Sequence, residues 1–125
     1  MQRVTYTLPL DRLFLMSAAR KFLLAADLGI SIRSRDDVSD AVGASLGRGL
    51  IISEDELGPD FFDLRTGLAG ELIQKFVNYR TRVAIVIAGP AEHGARFSEL
   101  AYEHATHPTV RFVGSLDEAL EWMET

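Results

Sequence analysis

Apolar and polar positions alternate over residues 3–8, Arg-Val-Thr-Tyr-Thr-Leu, which predicts a strand closed by Pro9. Residues 10–20 fit either a return strand or a short helix, and Lys21 to Ala26 read as a second strand with Asp27-Leu28-Gly29 as its turn. From Ser34 the period changes. Ser34 with Asp37 resembles a capping box, and Val38, Ala41, Val42, Ser45 and Leu46 then recur at helical spacing until Gly47 stops them. Leu50-Ile51-Ile52 is a short apolar strand. A loop with Glu54-Asp55-Glu56 and Gly58-Pro59 leads into the longest helical pattern, Asp63 to Tyr79. Val83 to Ala88 is uninterrupted apolar sequence, as a central parallel strand covered on both faces requires. Residues 94–106 predict a helix with Phe97, Leu100, Ala101 and His104 on one face, ended by Pro108. Val110 to Val113 is the last strand, and Ser115 with Glu118 forms a capping box for a helix to Met123.

The order β-β-α-β-α-β-α-β-α describes one α/β domain over residues 1–125, with a mostly parallel sheet of four to five strands and about four helices. Ligands of such sheets gather beyond the carboxyl ends of the strands, which here carry Asp27, Ser53-Glu54, Gly89-Pro90 and Gly114.

Charge narrows the functional classes. Thirteen Lys and Arg against eighteen Asp and Glu leave a net charge of −5, which argues against a nucleic-acid partner. The chain has no cysteine, so disulfides, thiolate metal sites and cysteine nucleophiles are excluded. The longest uncharged run, Val83 to Ala91, is too short to cross a membrane. Leu13 to Ala19 imitates a signal-peptide core, but Asp11-Arg12 and Arg20-Lys21 flank it closely, so a cytoplasmic location is expected.

Several short motifs dissolve on inspection. Gly43-Ala44-Ser45-Leu46-Gly47 spells a nucleophile elbow, yet it closes a helix and precedes a strand, the reverse of what the elbow needs. Gly47-Arg48-Gly49 has the same wrong order for a dinucleotide fingerprint. His104 and His107, beside Glu103 and with His93 earlier in the chain, have the i, i+3 spacing of co-ligands. His104 also completes the apolar stripe and His107 sits beside the helix-ending Pro108, so a packed or solvated pair is the expected reading. Asp27, Glu54, Asp55, Asp60 and Asp63 read as a solvated acidic rim. Neither a metal nor a cofactor is expected, and no catalytic residue stands out.

The long helix is the most informative element. Leu68, Leu72, Ile73, Phe76 and Val77 form its apolar side, while Gly67, Gly70, Glu71, Gln74, Lys75 and Asn78 share the other. Glycines within a helix cost about 1 kcal/mol each relative to alanine. Two of them on the polar stripe imply close approach, either by a ligand or partner or by a neighbouring loop of the same chain. Enlarging either glycine should raise helix propensity while blocking that approach. Phe61-Phe62 suggests one ring in the core and one at a partner surface.

The run Pro59-Asp60-Phe61-Phe62-Asp63-Leu64-Arg65-Thr66-Gly67-Leu68-Ala69-Gly70-Glu71-Leu72-Ile73-Gln74-Lys75-Phe76-Val77-Asn78-Tyr79-Arg80 resembles the signature of a bacterial family, domain of unknown function 4180. The likeness extends over about residues 21–123, including Asp36-Asp37, Leu50-Ile51-Ile52, Arg82 to Val86, and Phe112 to Leu120. The chain departs from the family after the central strand, where Ile87-Ala88-Gly89-Pro90 replaces Gly-Asp-x-Ser. His104-Ala105-Thr106-His107 likewise replaces an Asn-rich helix end. The element order also resembles the STAS fold of anti-sigma-factor antagonists, in which a phosphorylatable Ser or Thr opens the helix after the third strand; Thr66-Gly67-Leu68 stands in that place.

The resemblance implies a STAS-like fold and little biochemistry, while the glycine-notched polar helix and the Phe61-Phe62 pair point to a non-catalytic interaction or regulatory module that binds a protein partner or itself. Its surface would comprise Asp60, Phe61, Phe62, Arg65, Thr66, Gly67, Gly70, Glu71, Gln74, Lys75 and Asn78, with Thr66 a candidate phospho-acceptor near the helix N-cap. An aspartate at Thr66 should then keep the cap and the stability. The alternative is a small-molecule-binding or enzymatic domain in which Asp27, Glu54 or Asp55 converges with Arg65 and Glu71 in a pocket.

Overall fold

The structure, a computed structural model, describes residues 22–125. The expected strand at 3–8 and the open segment 10–20 lie outside those residues. Among the described residues four parallel strands form one sheet: β1 (Leu23–Leu24), β2 (Leu50–Ser53), β3 (Val83–Val86) and β4 (Val110–Val113), in the spatial order β1-β2-β3-β4. Leu23 pairs with Leu50, Leu50 with Val83, and Val83 with Val110, so the register runs straight across the sheet.

Six α-helices accompany the described strands: α1 (Ala25–Leu28), α2 (Arg35–Ser45), α3 (Pro59–Phe62), α4 (Leu68–Asn78), α5 (Ala95–Glu103) and α6 (Leu116–Met123). α2, α4, α5 and α6 are the four expected helices; α1 and α3 are single turns that periodicity does not register. Consecutive parallel strands joined by crossovers of one hand put the connecting helices on one face. There Val38, Leu72, Phe76 and Phe97 pack against Leu50, Ile52, Val83, Ile85 and Phe112. The alternate residues Ile51 and Ala84 point to the other face, where Ala119, Trp122 and Met123 of α6 meet them. This accounts for strands that are apolar at consecutive positions.

Several element boundaries differ from expectation for local reasons. The strand expected to reach Ala26 stops at Leu24, because Ala25 begins a helical turn that Gly29 closes at φ 69°. The pattern from Asp63 to Tyr79 is not one helix. Asp63 caps a short 3-10 turn (Leu64–Thr66), and Gly67, at φ 79°, redirects the chain so that α4 starts at Leu68. The helix expected over 94–106 is confined to Ala95–Glu103. Val77, expected on the apolar side, is 39 % exposed, because α4 turns only Leu68, Ala69, Leu72 and Phe76 fully inward.

Both caps read from the sequence form. The Ser34 hydroxyl accepts the Asp37 N–H at 3.2 Å, and the Ser115 hydroxyl accepts the Glu118 N–H at the same distance. In both, the reciprocal carboxylate reaches one residue further back than the cap, to the Arg33 and Gly114 N–H groups. The structure adds a third box: Ser53 and Glu56 cap the 3-10 turn that follows β2.

Candidate functional site

Beyond the carboxyl ends of β2 and β3 the chain builds an aromatic floor. Pro59 starts α3 with a fixed φ, which turns Phe61 fully inward and leaves Phe62 half-buried. The Phe61 ring meets Phe62 and Phe97 edge to face, at 5.7 and 6.1 Å between centroids. Phe62 stacks flat on the His93 imidazole at 3.7 Å and 11°. His93 Nε2 lies 2.7 Å from Glu54 Oε2, so a residue after β3 holds one after β2. Phe62 therefore forms the wall of a groove of about 760 Å³, which also takes in Leu64, Arg65, Arg96 and Phe97, rather than standing free at the surface.

The next turn is tied tightly. Arg65 grips Asp63 through two hydrogen bonds, Nε to Oδ1 at 3.0 Å and Nη2 to Oδ2 at 2.9 Å, while its N–H donates to Oδ1 as well. The hydrogen bonds from the Arg65 side chain and backbone hold the Asp63 carboxyl below its ordinary range, and the Arg65 guanidinium is correspondingly raised. Thr66 lies just before the helix and not at its cap, which is Gly67. Its hydroxyl does hold a free backbone group, accepting the Leu68 N–H at 3.2 Å, but it also donates toward Asp60 O at 2.7 Å and Asp63 O at 2.8 Å. Asp60 itself is exposed and enters this network only through its carbonyl. An aspartate at Thr66 can accept from Leu68 but has no proton to give to the Asp60 or Asp63 carbonyl.

The two glycines differ. A Cβ on Gly67 would lie 3.2 Å from Arg35 Nη2, so a side chain of α2 occupies that notch, and the positive φ makes any larger residue strained there. Arg35 is held by Glu71 at 2.8 Å, and Lys75 stands 3.9 Å from the same carboxylate. Gly70 faces open space instead. Around it α4 exposes Gln74, Val77 and Asn78, and a shallow groove of about 230 Å³ between α2 and α4 is bounded by Gly43, Leu46, Lys75 and Tyr79. Leu46 is 53 % and Tyr79 55 % exposed.

The acidic strand ends do not converge. Glu54 faces His93, Glu71 faces Arg35 and Lys75, Arg65 faces Asp63, and Asp27 is exposed on α1. Ser45, of the apparent nucleophile elbow, is fully buried and donates its hydroxyl to Ala41 O at 2.7 Å. His104 Nδ1 meets Leu100 O at 2.9 Å, and His107 Nδ1 accepts the N–H groups of Thr109 and Val110 at 3.0 and 3.1 Å. Their rings lie 5.2 Å apart, both half-buried, and among the described residues no group of three or more candidate ligands that could hold a metal occurs.

Two constellations escaped the sequence. One is the His93–Glu54 pair, whose partners stand 39 residues apart; only the position of each just past a strand hinted at it. The other is Trp122, approached by Arg82 at 5.0 Å and Arg111 at 4.7 Å. Arg82 also donates to Trp122 O at 3.0 Å, which braces the end of α6 against β3.

The chain belongs to the family described as Domain of unknown function (DUF4180), whose match spans residues 17–123. No significant match to it occurs among curated proteins or among solved structures. Among the described residues no helix is long and apolar enough to cross a membrane.

Proposed function

We propose that this DUF4180 member is a cytoplasmic, STAS-like, non-catalytic module that binds a protein partner, or a second copy of itself, through the outer face of the 60–80 segment. The observation that carries this reading is the surface around Gly70. Open space above its Cα lies on the stripe of α4 that exposes Gln74 and Val77, and at the far end of the helix the exposed Tyr79 and Leu46, each just past its helix, flank the groove at Lys75. Glu71 and Lys75 are committed to Arg35 and to each other, so they stiffen the face more than they reach from it. A bacterial origin and a regulatory role fit the same reading. In it, a phosphate on Thr66 removes the hydroxyl proton that Asp60 O and Asp63 O share, so modification opens the turn beside the working face.

The test uses Gly70→Arg, which the open space accommodates, together with Tyr79→Ala. Tyr79→Ala should stay within about 0.5 kcal/mol of the parent's stability, as surface changes do, and Gly70→Arg should gain up to about 1 kcal/mol from helix propensity. Both should lose a partner that the parent captures, or lose its self-association by light scattering. Unchanged partners and unchanged mass in both variants would refute the assignment.

A second reading rests on His93 and Glu54, which meet at the carboxyl ends of β3 and β2 beside the Phe62 groove. It assigns that groove to a small molecule. Native mass spectrometry of the purified protein should then reveal a bound species that Glu54→Gln loses.

A further inference from the structure

Among the described residues β4 is the last strand of the sheet, and a turn closes its outer edge. Val83 N–H donates to Thr109 O and Ile87 N–H to Val113 O, so the Thr109 carbonyl and the main-chain groups of Arg111 and Val113 face β3. In a parallel ladder the residues between them, Val110 and Phe112, then point their N–H and C=O groups outward. Both outward donors are taken. Phe112 N–H reaches His104 O at 3.3 Å, and Val110 N–H reaches His107 Nδ1 at 3.1 Å, where Thr109 N–H also arrives at 3.0 Å.

These two caps respond differently to a proton. The His104 carbonyl accepts at any pH. His107 accepts through a ring nitrogen, and it can do so only while its single proton sits on Nε2. A second proton would go to Nδ1 and point at two N–H groups. We propose that the 104–107 turn is a proton-operated guard on the β4 edge: neutral His107 keeps the Val110 and Thr109 N–H groups closed, and protonated His107 releases them. A sheet edge with free N–H groups is a template for strand addition by another chain, so acid would open a surface that neutral pH keeps shut.

The surroundings set where the guard acts. The groups that face His107 are His104, whose ring lies 5.2 Å away, and Arg111, whose Nε donates to His107 O at 2.8 Å while Nη2 reaches Thr106 O at 3.3 Å. His104 Nδ1 lies against a carbonyl, so it serves as a donor in either charge state, and its own protonation leaves that bond intact. Burial, followed by the charges of His104 and Arg111, holds the His107 imidazole below the ordinary histidine range. The native chain therefore binds fewer protons at this site than the unfolded chain does, between that lowered value and about 6.5. Stability rises with pH across this window. It falls as the pH drops through it, and the guard opens at its acidic end.

Amide hydrogen exchange, resolved by residue and corrected for intrinsic rate, tests this at about pH 7.5 and at an acidic pH where NMR shows the His107 ring protonated. In the parent, Val110 and Thr109 should lose about tenfold in protection at the acidic pH, the worth of one acceptor. Phe112, capped by a carbonyl, and Ala84, in the middle of the sheet, should change far less. His107→Asn places an amide oxygen where Nδ1 stood and does not titrate, so its Val110 should stay protected at both pH values. His107→Ala should leave Val110 open at both. Val110 protection that is unchanged in the parent while NMR shows His107 becoming protonated would overturn the proposal. So would an acid-induced loss of the same size in His107→Asn.

Discussion

Removing the Thr66 hydroxyl perturbs the turn before α4 at its most connected atom. Oγ1 lies 2.7 Å from Asp60 O, 2.8 Å from Asp63 O and 3.2 Å from the Leu68 nitrogen. A hydroxyl carries one proton, so it serves the two carbonyls in alternation. Asp63 O has a second donor in the Thr66 N–H, at 3.0 Å, and is not orphaned by the loss. Thr66→Val preserves shape and β-branching while it takes the donor from Asp60 O and the acceptor from Leu68 N–H. Each lost hydrogen bond is worth about 0.5–1.5 kcal/mol, and water reaches this exposed turn, so the pair should cost about 1–2 kcal/mol. Unfolding entropy near 2.1 cal/mol/K per residue amounts to roughly 0.26 kcal/mol/K over a chain of this length, which converts the cost to a fall of about 4–8 °C in Tm. Thr66→Ser keeps the hydroxyl and should stay within about 2 °C of the parent. Thr66→Asp can still accept from Leu68, yet it sets a carboxylate against the Asp60 carbonyl, so it should group with valine. Calorimetry with urea titration measures all four proteins. A valine variant melting with the parent, or an aspartate variant melting with serine, would refute the reasoning.

The two glycines should respond with opposite signs. Gly67→Ala forces a Cβ into φ 79° and should lose about 1–2 kcal/mol, whereas Gly70→Ala gains helix propensity in open space and should add up to about 1 kcal/mol; urea midpoints report both. Phe61→Ala, at a fully buried site, should cost about 3–5 kcal/mol; Phe62→Ala, at a half-buried one, should cost less and should be the variant that moves the His93 ring resonances. Zn²⁺ should leave Tm unchanged to within about 1 °C, because the Nδ1 atoms of His104 and His107 are engaged by the backbone; a clear rise that His107→Asn abolishes would show a site there.

Much of the fold was legible because its cues act over a few residues. Ser34 with Asp37 and Ser115 with Glu118 start helices through bonds between residues three apart, so sequence alone places them. The apolar runs Leu50–Ile52 and Val83–Ala88 announce strands, of which the second ends at Val86, and the structure supplies α2, α4 and α5 on one face and α6 on the other. Even Gly67 was visible as a special position, although not as the residue that separates a 3-10 turn from α4, because a glycine in a periodic run does not reveal the sign of its φ.

The working parts of the surface obey a different logic. Val77 has the spacing of a buried residue, yet its exposure depends on how far α4 is rolled against the sheet, which the packing of Phe76 and Leu72 decides. Glu54 finds His93 across 39 residues, Arg35 finds Glu71 across 36, and Arg82 finds Trp122 across 40. Each of these meetings follows from strand register and from the face a crossover takes, and none is written in the spacing of the residues concerned. Thus the chain's periodicity and caps determined its elements and their order. The pairs that shape the grooves, fill the Gly67 notch and cap the β4 edge existed only once those elements had packed, because side-chain distances across a sheet are set by tertiary geometry and not by sequence separation.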